Sequence, residues 1–110
     1  MVFNYDEMYP KDLGAGVTRK ILAYDGSLMS VEVSFKKGAI GSMHSHPHEQ
    51  ISVVLSGKFE YNEDGKRTII KKGDSYYVKG GVPHGVVALE EGVLLDIFTP
   101  IREDFLKKNN

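Results

Sequence analysis

The chain has 110 residues, 14 basic and 15 acidic side chains, and a formal charge of −1. That balance argues against nucleic-acid binding, which depends on a basic surface, and the absence of cysteine excludes disulfides and thiolate metal sites. No stretch is long and apolar enough to span a bilayer, and the first 14 residues lack the basic start and apolar run of a signal peptide. The expectation is a cytoplasmic protein with neither nucleic acid nor membrane as partner. It is read as one domain over 1–110, with a core at about 17–100 and a C-terminal segment at 101–110.

Helical signals are nearly absent, and β-branched and aromatic runs recur between turn residues. The run "VTRKILAY" leads through Asp25-Gly26, a strong hairpin signal, into "LMSVEVSF". There Met29, Val31, Val33 and Phe35 alternate with Leu28, Ser30, Glu32 and Ser34, which is the period of a strand with one apolar face. "KKGAIGS" reads as a turn. Residues 50–73 read as two strands around a turn at Asn62–Gly65, and residues 74–100 add two or three more, ended by Pro100. "IREDFLKK" suits a single helical turn, and the tail "LKKNN" is expected to fray. Eight or more short strands define an all-β fold, either a closed barrel or a two-sheet sandwich.

The stretch "MHSHPHEQ" holds three of the four histidines. In an extended chain His44, His46, His48 and Gln50 would share one face and Glu49 would take the other, with Pro47 bending the segment. Two histidines one residue apart on a strand can reach one metal ion. A solvated histidine-rich loop is the alternative.

The glycine spacing sharpens the choice. Gly38, His44, His46, Gln50 and Gly57 follow the pattern G-x5-H-x-H-x3-E-x6-G with Gln for Glu. Gly73, Gly81 and His84 follow G-x5-P-x-G-x2-H-x3-N, with Lys79 for Pro and Ala88 for Asn. This pair of motifs resembles the cupin superfamily. The resemblance implies a single-domain cupin barrel (double-stranded β-helix, or jelly roll). It also implies a divalent transition metal (nickel, iron, manganese or zinc) on His44, His46, Gln50 and His84. His48 is then left to a surface or supporting role. An amide in place of a carboxylate keeps the ligand set neutral and the metal a stronger Lewis acid.

In "GVLLDIFTPIREDFL", Leu94, Asp96 and Phe98 share one strand face, and Arg102 follows just past Pro100. An aspartate inside an apolar strand is costly unless paired or used. A carboxylate, a ring and a guanidinium at one cavity mouth would suit a small acidic sugar. Ordinary pairing on a solvated face is the bland reading. The ending D-x-F-[ST]-P-x-R-x-D-F-L resembles the small cupins of the KdgF family, over about Arg19 to Phe105. That resemblance implies metal-dependent opening of 4,5-unsaturated uronates to linear keto sugars in pectin or alginate breakdown, with Asp96, Phe98 and Arg102 as catalytic residues. A dioxygenase, another sugar isomerase, or a non-catalytic small-molecule binder are the alternatives that a cupin barrel leaves open. A homodimer is expected, with residues 28–35 and the N-terminal strand meeting a second copy.

Overall fold

The computed structural model describes residues 1–107, so most of the expected frayed tail lies outside the described residues. After a 3-10 turn at Tyr5–Glu7 come ten strands: β1 Lys11–Gly14, β2 Val17–Asp25, β3 Leu28–Phe35, β4 Ile40–His44, β5 Glu49–Ser56, β6 Lys58–Glu63, β7 Lys66–Lys71, β8 Ser75–Val78, β9 His84–Ala88 and β10 Gly92–Thr99. One helical turn, α1 Glu103–Leu106, closes the described chain beyond a cis Thr99–Pro100 peptide. No helix among the described residues is long and apolar enough to cross a membrane.

All pairings are antiparallel and form two sheets, β1-β2-β3-β10-β5-β8 and β4-β9-β6-β7. The chain crosses between them after β3, β4, β5, β7, β8 and β9, which is the jelly-roll form of the expected all-β fold. The inward positions of the alternating strands make the core. Phe35 and Val54 meet Phe59, Ile70, Val86 and Leu94 between the sheets, with Phe35 edge-on to Phe59 at 5.3 Å between ring centres. A second cluster of Met29, Val31 and Phe98 packs with Ile21, Ile101 and Phe105 under the C-terminal turn.

Local chemistry accounts for the turns. Asp25 accepts from the Gly26 amide at 2.6 Å, and Asn62 from the Gly65 amide at 3.0 Å, the local side-chain-to-backbone bonds that favour these residues in turns. The sequence reading of residues 50–73 as two strands is corrected to three, because Gly57 breaks the first. Its φ is +82°, and a Cβ there would stand 2.5 Å from the Glu91 carbonyl, so only glycine turns this corner. The 36–42 turn is shorter than expected. Gly38 bonds back to the Ala88 carbonyl, and β4 already starts at Ile40, opposite Val87. β3 lies between β2 and β10, with both edges filled. Residues 28–35 therefore have no free edge with which to add a strand from a second copy. β1, which the sequence reading did not separate, supplies the outer edge of that sheet instead.

Candidate metal centre

The histidine segment is not one extended strand. β4 ends at His44, the chain bends through 45–48, and β5 begins at Glu49. Convergence comes from sheet pairing rather than shared parity: His44 stands opposite His84 in the β4–β9 register, and Gln50 opposite Val78 between β5 and β8. The bend is pinned from the other motif. The Gly81 amide donates to the His46 carbonyl at 2.8 Å, and Gly80 lies so close to the Pro47 carbonyl that a side chain there would collide with it.

His44, His46 and His84 each present one ring nitrogen, all within 4.8 Å of one another. In every ring Nδ1 faces a main-chain carbonyl: Ser42 at 2.8 Å for His44, His48 at 3.0 Å for His46, and Val82 at 2.9 Å for His84. A carbonyl only accepts, so Nδ1 carries the proton and Nε2 keeps a lone pair, as metal-ligating imidazoles require. Nε2 of His84 is buried without a hydrogen-bond partner. Nε2 of His46 faces Gln50 Oε1 at 2.9 Å, two acceptors approaching each other in a buried place. Burial holds the His46 and His84 rings below the usual imidazole range, which favours the neutral, ligating form. An orphaned nitrogen and two converging acceptors fit a cation shared by His44, His46, Gln50 and His84.

His48 stands outside this cluster. Its carbonyl orients His46, and its ring leans toward Phe98. Glu49 points away and accepts a hydrogen bond from the exposed Tyr77 hydroxyl at 2.7 Å.

A cavity of about 200 Å³ opens beside the histidines, lined among others by His44, Gln50, His84, Asp96, Phe98 and Arg102. Asp96 faces this cavity from the central strand β10, not a solvated surface. The Ser52 hydroxyl donates to Asp96 Oδ1 at 2.6 Å, and the Gln50 amide donates to Ser52 Oγ at 2.8 Å. Desolvation pushes the Asp96 carboxyl up to about 6, against the pull of the Ser52 hydrogen bond and the Arg102 charge. Tyr76 stacks on Tyr61 with ring centres 3.9 Å apart. Burial and then the Asp96 charge drive its phenol far above the usual range.

Arg102 is buried, and its fork is already engaged: Nε and Nη2 donate to the two Asp104 oxygens at 3.0 and 2.9 Å. Its guanidinium lies 4.1 Å from the centre of the Phe105 ring and 5.0 Å from that of Phe98. Arg19 of β2 also rests on Phe105, at 3.8 Å, and lines the same cavity.

Ser52, Tyr76 and Arg19 escaped the sequence reading, and Asp104 figured there only as a letter of the C-terminal motif, without a role. Ser52 had a signal, since it shares parity with Gln50 and Val54 in an alternating strand.

A model of the cupin domain matches residues 31–98. The chain is 48% identical to the pectin degradation protein KdgF of Dickeya dadantii over 103 residues, 92% of this chain and 94% of that protein. It resembles the structure of KdgF from Halomonas sp. with a TM-score of 0.90 and 36% identity, over 96% of this chain and 97% of the other. An RmlC-like cupin from Shewanella frigidimarina matches with a TM-score of 0.88 and 38% identity, over 96% and 99% of the two chains.

Proposed function

The chain belongs to the cupin domain family, and from that membership and the cavity we propose that it is a metal-dependent enzyme opening 4,5-unsaturated uronates, such as unsaturated galacturonate, to linear keto sugar acids during pectin or alginate breakdown. The observation that carries the reading is one cavity in which an aspartate with a raised carboxyl value and a buried arginine meet His44 and His84, two members of the three-histidine cluster. Groups of that kind in one cleft mark proton-transfer chemistry. The cavity is smaller than the ~300 Å³ from which drug-sized sites begin, which suits a monosaccharide rather than a polymer.

The substrate ring is an enol ether closed through a hemiacetal. A divalent metal bound on His44, His46, Gln50 and His84 (nickel, iron, manganese or zinc) would supply Lewis acidity toward substrate oxygen. Asp96 takes the proton of the anomeric hydroxyl, and that C–O bond becomes the aldehyde. The bond from the anomeric carbon to the ring oxygen breaks with its electron pair left on the oxygen, giving an enolate. Asp96 then returns the proton to the neighbouring ring carbon, and the enolate becomes a ketone. The sum is an isomerisation with no oxidant and no lost atom. A carboxyl near 6 exchanges protons in both directions close to neutral pH. Phe98 forms the wall against the sugar, and Arg102 supplies positive charge for its carboxylate.

The test is the ultraviolet absorbance of the conjugated double bond of an unsaturated galacturonate, followed with metal-loaded and chelator-stripped protein. Faster loss of absorbance than the uncatalysed rate, dependent on metal, supports the reading. A rate equal to the uncatalysed one with loaded protein removes it. The reading includes a homodimer in the cell. The exposed β1 edge is its proposed contact, and sedimentation of a variant with Pro in place of Leu13 tests that.

A further inference from the structure

Ser52 is fully buried, and its hydroxyl has a single proton to give. Asp96 and Gln50 are the two side chains hydrogen-bonded to it, beside the Tyr76 phenol that faces it across the β5–β8 register. Asp96 lies directly opposite in the β10–β5 register, and Gln50 lies two residues back on the same face of β5. The proton goes to Asp96 at 2.6 Å, so Ser52 can only accept from Gln50, which donates its amide NH2 at 2.8 Å. The amide end not given to Ser52 is Oε1, and it faces the ring nitrogen of His46 at 2.9 Å.

We propose that Ser52 is a positioning residue that fixes both halves of the site with one proton: it turns the carbonyl of Gln50 toward the metal position and it holds Asp96 in place for proton transfer. The inference rests on the roles given to Gln50 and Asp96 in the proposed function.

The physical reason is a competition between acceptors. An amide binds a cation through oxygen only, and without a constraint Gln50 could reverse, giving NH2 to His46 and oxygen to Ser52. Reversal would require the Ser52 proton, and Asp96 would lose its donor in a desolvated place, where a missing partner costs roughly 1–3 kcal/mol or more. The carboxylate is the stronger acceptor, so the amide stays with oxygen inward. The same argument bears on the departure of this chain from its motif, where Gln50 stands in place of Glu. A carboxylate at position 50 has no hydrogen to offer Ser52, so it and Asp96 would both demand the same proton. An amide at 50 and an acid at 96 are compatible around one hydroxyl; two acids are not.

The test uses the full chain. Metal affinity is measured by calorimetric titration of the stripped protein with nickel(II) and zinc(II), and turnover is measured separately on the unsaturated uronate. Ser52→Ala is expected to weaken metal binding tenfold or more, the lower end of what loss of a supporting hydrogen bond costs a metal site. It is also expected to lower kcat at least tenfold with KM within twofold. Ser52→Thr, which keeps the hydroxyl, recovers most of both. Metal affinity of Ser52→Ala within twofold of the parent overturns the proposal, as does failure of Thr to recover any of the loss while the apo-protein keeps its melting temperature. If neither variant folds, the parent decides. In 15N-labelled apo-protein one Gln50 side-chain amide proton should exchange slowly with solvent, and exchange as fast as that of a free glutamine overturns it. Absence of turnover in the parent would remove the ring-opening reading, while the calorimetric and exchange measurements would still decide the role of Ser52.

Discussion

The two ends of the cavity are held by different means. At the histidine end every ring is oriented by a main-chain carbonyl, of Ser42, His48 and Val82. At the acid end side chains orient one another: Ser52 holds Asp96, and Asp104 holds Arg102. Main-chain carbonyls move only with the fold, so the three imidazoles should keep their orientation under substitutions that spare them and the backbone around them, while Gln50 depends on the Ser52 side chain. The acid end depends on single partners, and single deletions should reach it.

The largest expected effect breaks the acid end alone. Asp96→Asn keeps an acceptor for Ser52 but removes the proton carrier. It should lower kcat by about 10²–10⁴-fold, the usual contribution of a general acid–base, with metal affinity within a few-fold of the parent; the absorbance assay with parallel calorimetry reads both. Loss of His84 breaks the other end. His84→Ala should weaken metal binding by more than the roughly 10–100-fold that loss of a supporting group costs, as read by metal content after dialysis.

A pH comparison sharpens the contrast. The Asp96 carboxyl stands near 6 in the folded chain against an ordinary value of 3.8. The folded state therefore holds this proton more tightly, and the stability linked to it falls as pH rises from about 4 to about 6. Above that range the buried charge costs on the order of 2–3 kcal/mol. Asp96→Asn should therefore raise the melting temperature of metal-free protein at pH 7.5 and leave it unchanged at pH 3.5, by calorimetry in the presence of chelator. An equal shift at both pH values would assign the effect to packing.

Smaller effects follow at the rim. Asp104 is more than half exposed, so Asp104→Ala should raise KM about fivefold, the scale of the roughly 1 kcal/mol of an exposed ion pair, with kcat within twofold. Glu49→Ala should change neither metal affinity nor turnover and should cost less than about 0.5 kcal/mol in stability, since its partner is an exposed Tyr77 hydroxyl. The contrast between Glu49 and Gln50, adjacent in sequence and opposite in direction, is the simplest check on which side of β5 faces the cavity.

Period-two alternation in residues 28–35 and 94–98, the turns at Asp25-Gly26 and Asn62–Gly65, and the spacing of the histidines among glycines were readable from the chain alone. These features are local: a strand tells which face a side chain takes, and a turn residue tells where a strand stops. Which strands become neighbours is not local. Ser52 meets Asp96 across 44 residues of chain because β5 and β10 pair in that register. Arg19 comes into the cavity from β2, and Asp104 engages Arg102 only because the chain turns into α1 after Pro100. Even the histidines converge through the β4–β9 pairing and a bend at Pro47, not through the shared parity of an extended strand. Alternation encodes a face; only the closed pair of sheets decides what that face meets, because strand pairing is settled by the burial of the whole core and not by any one segment.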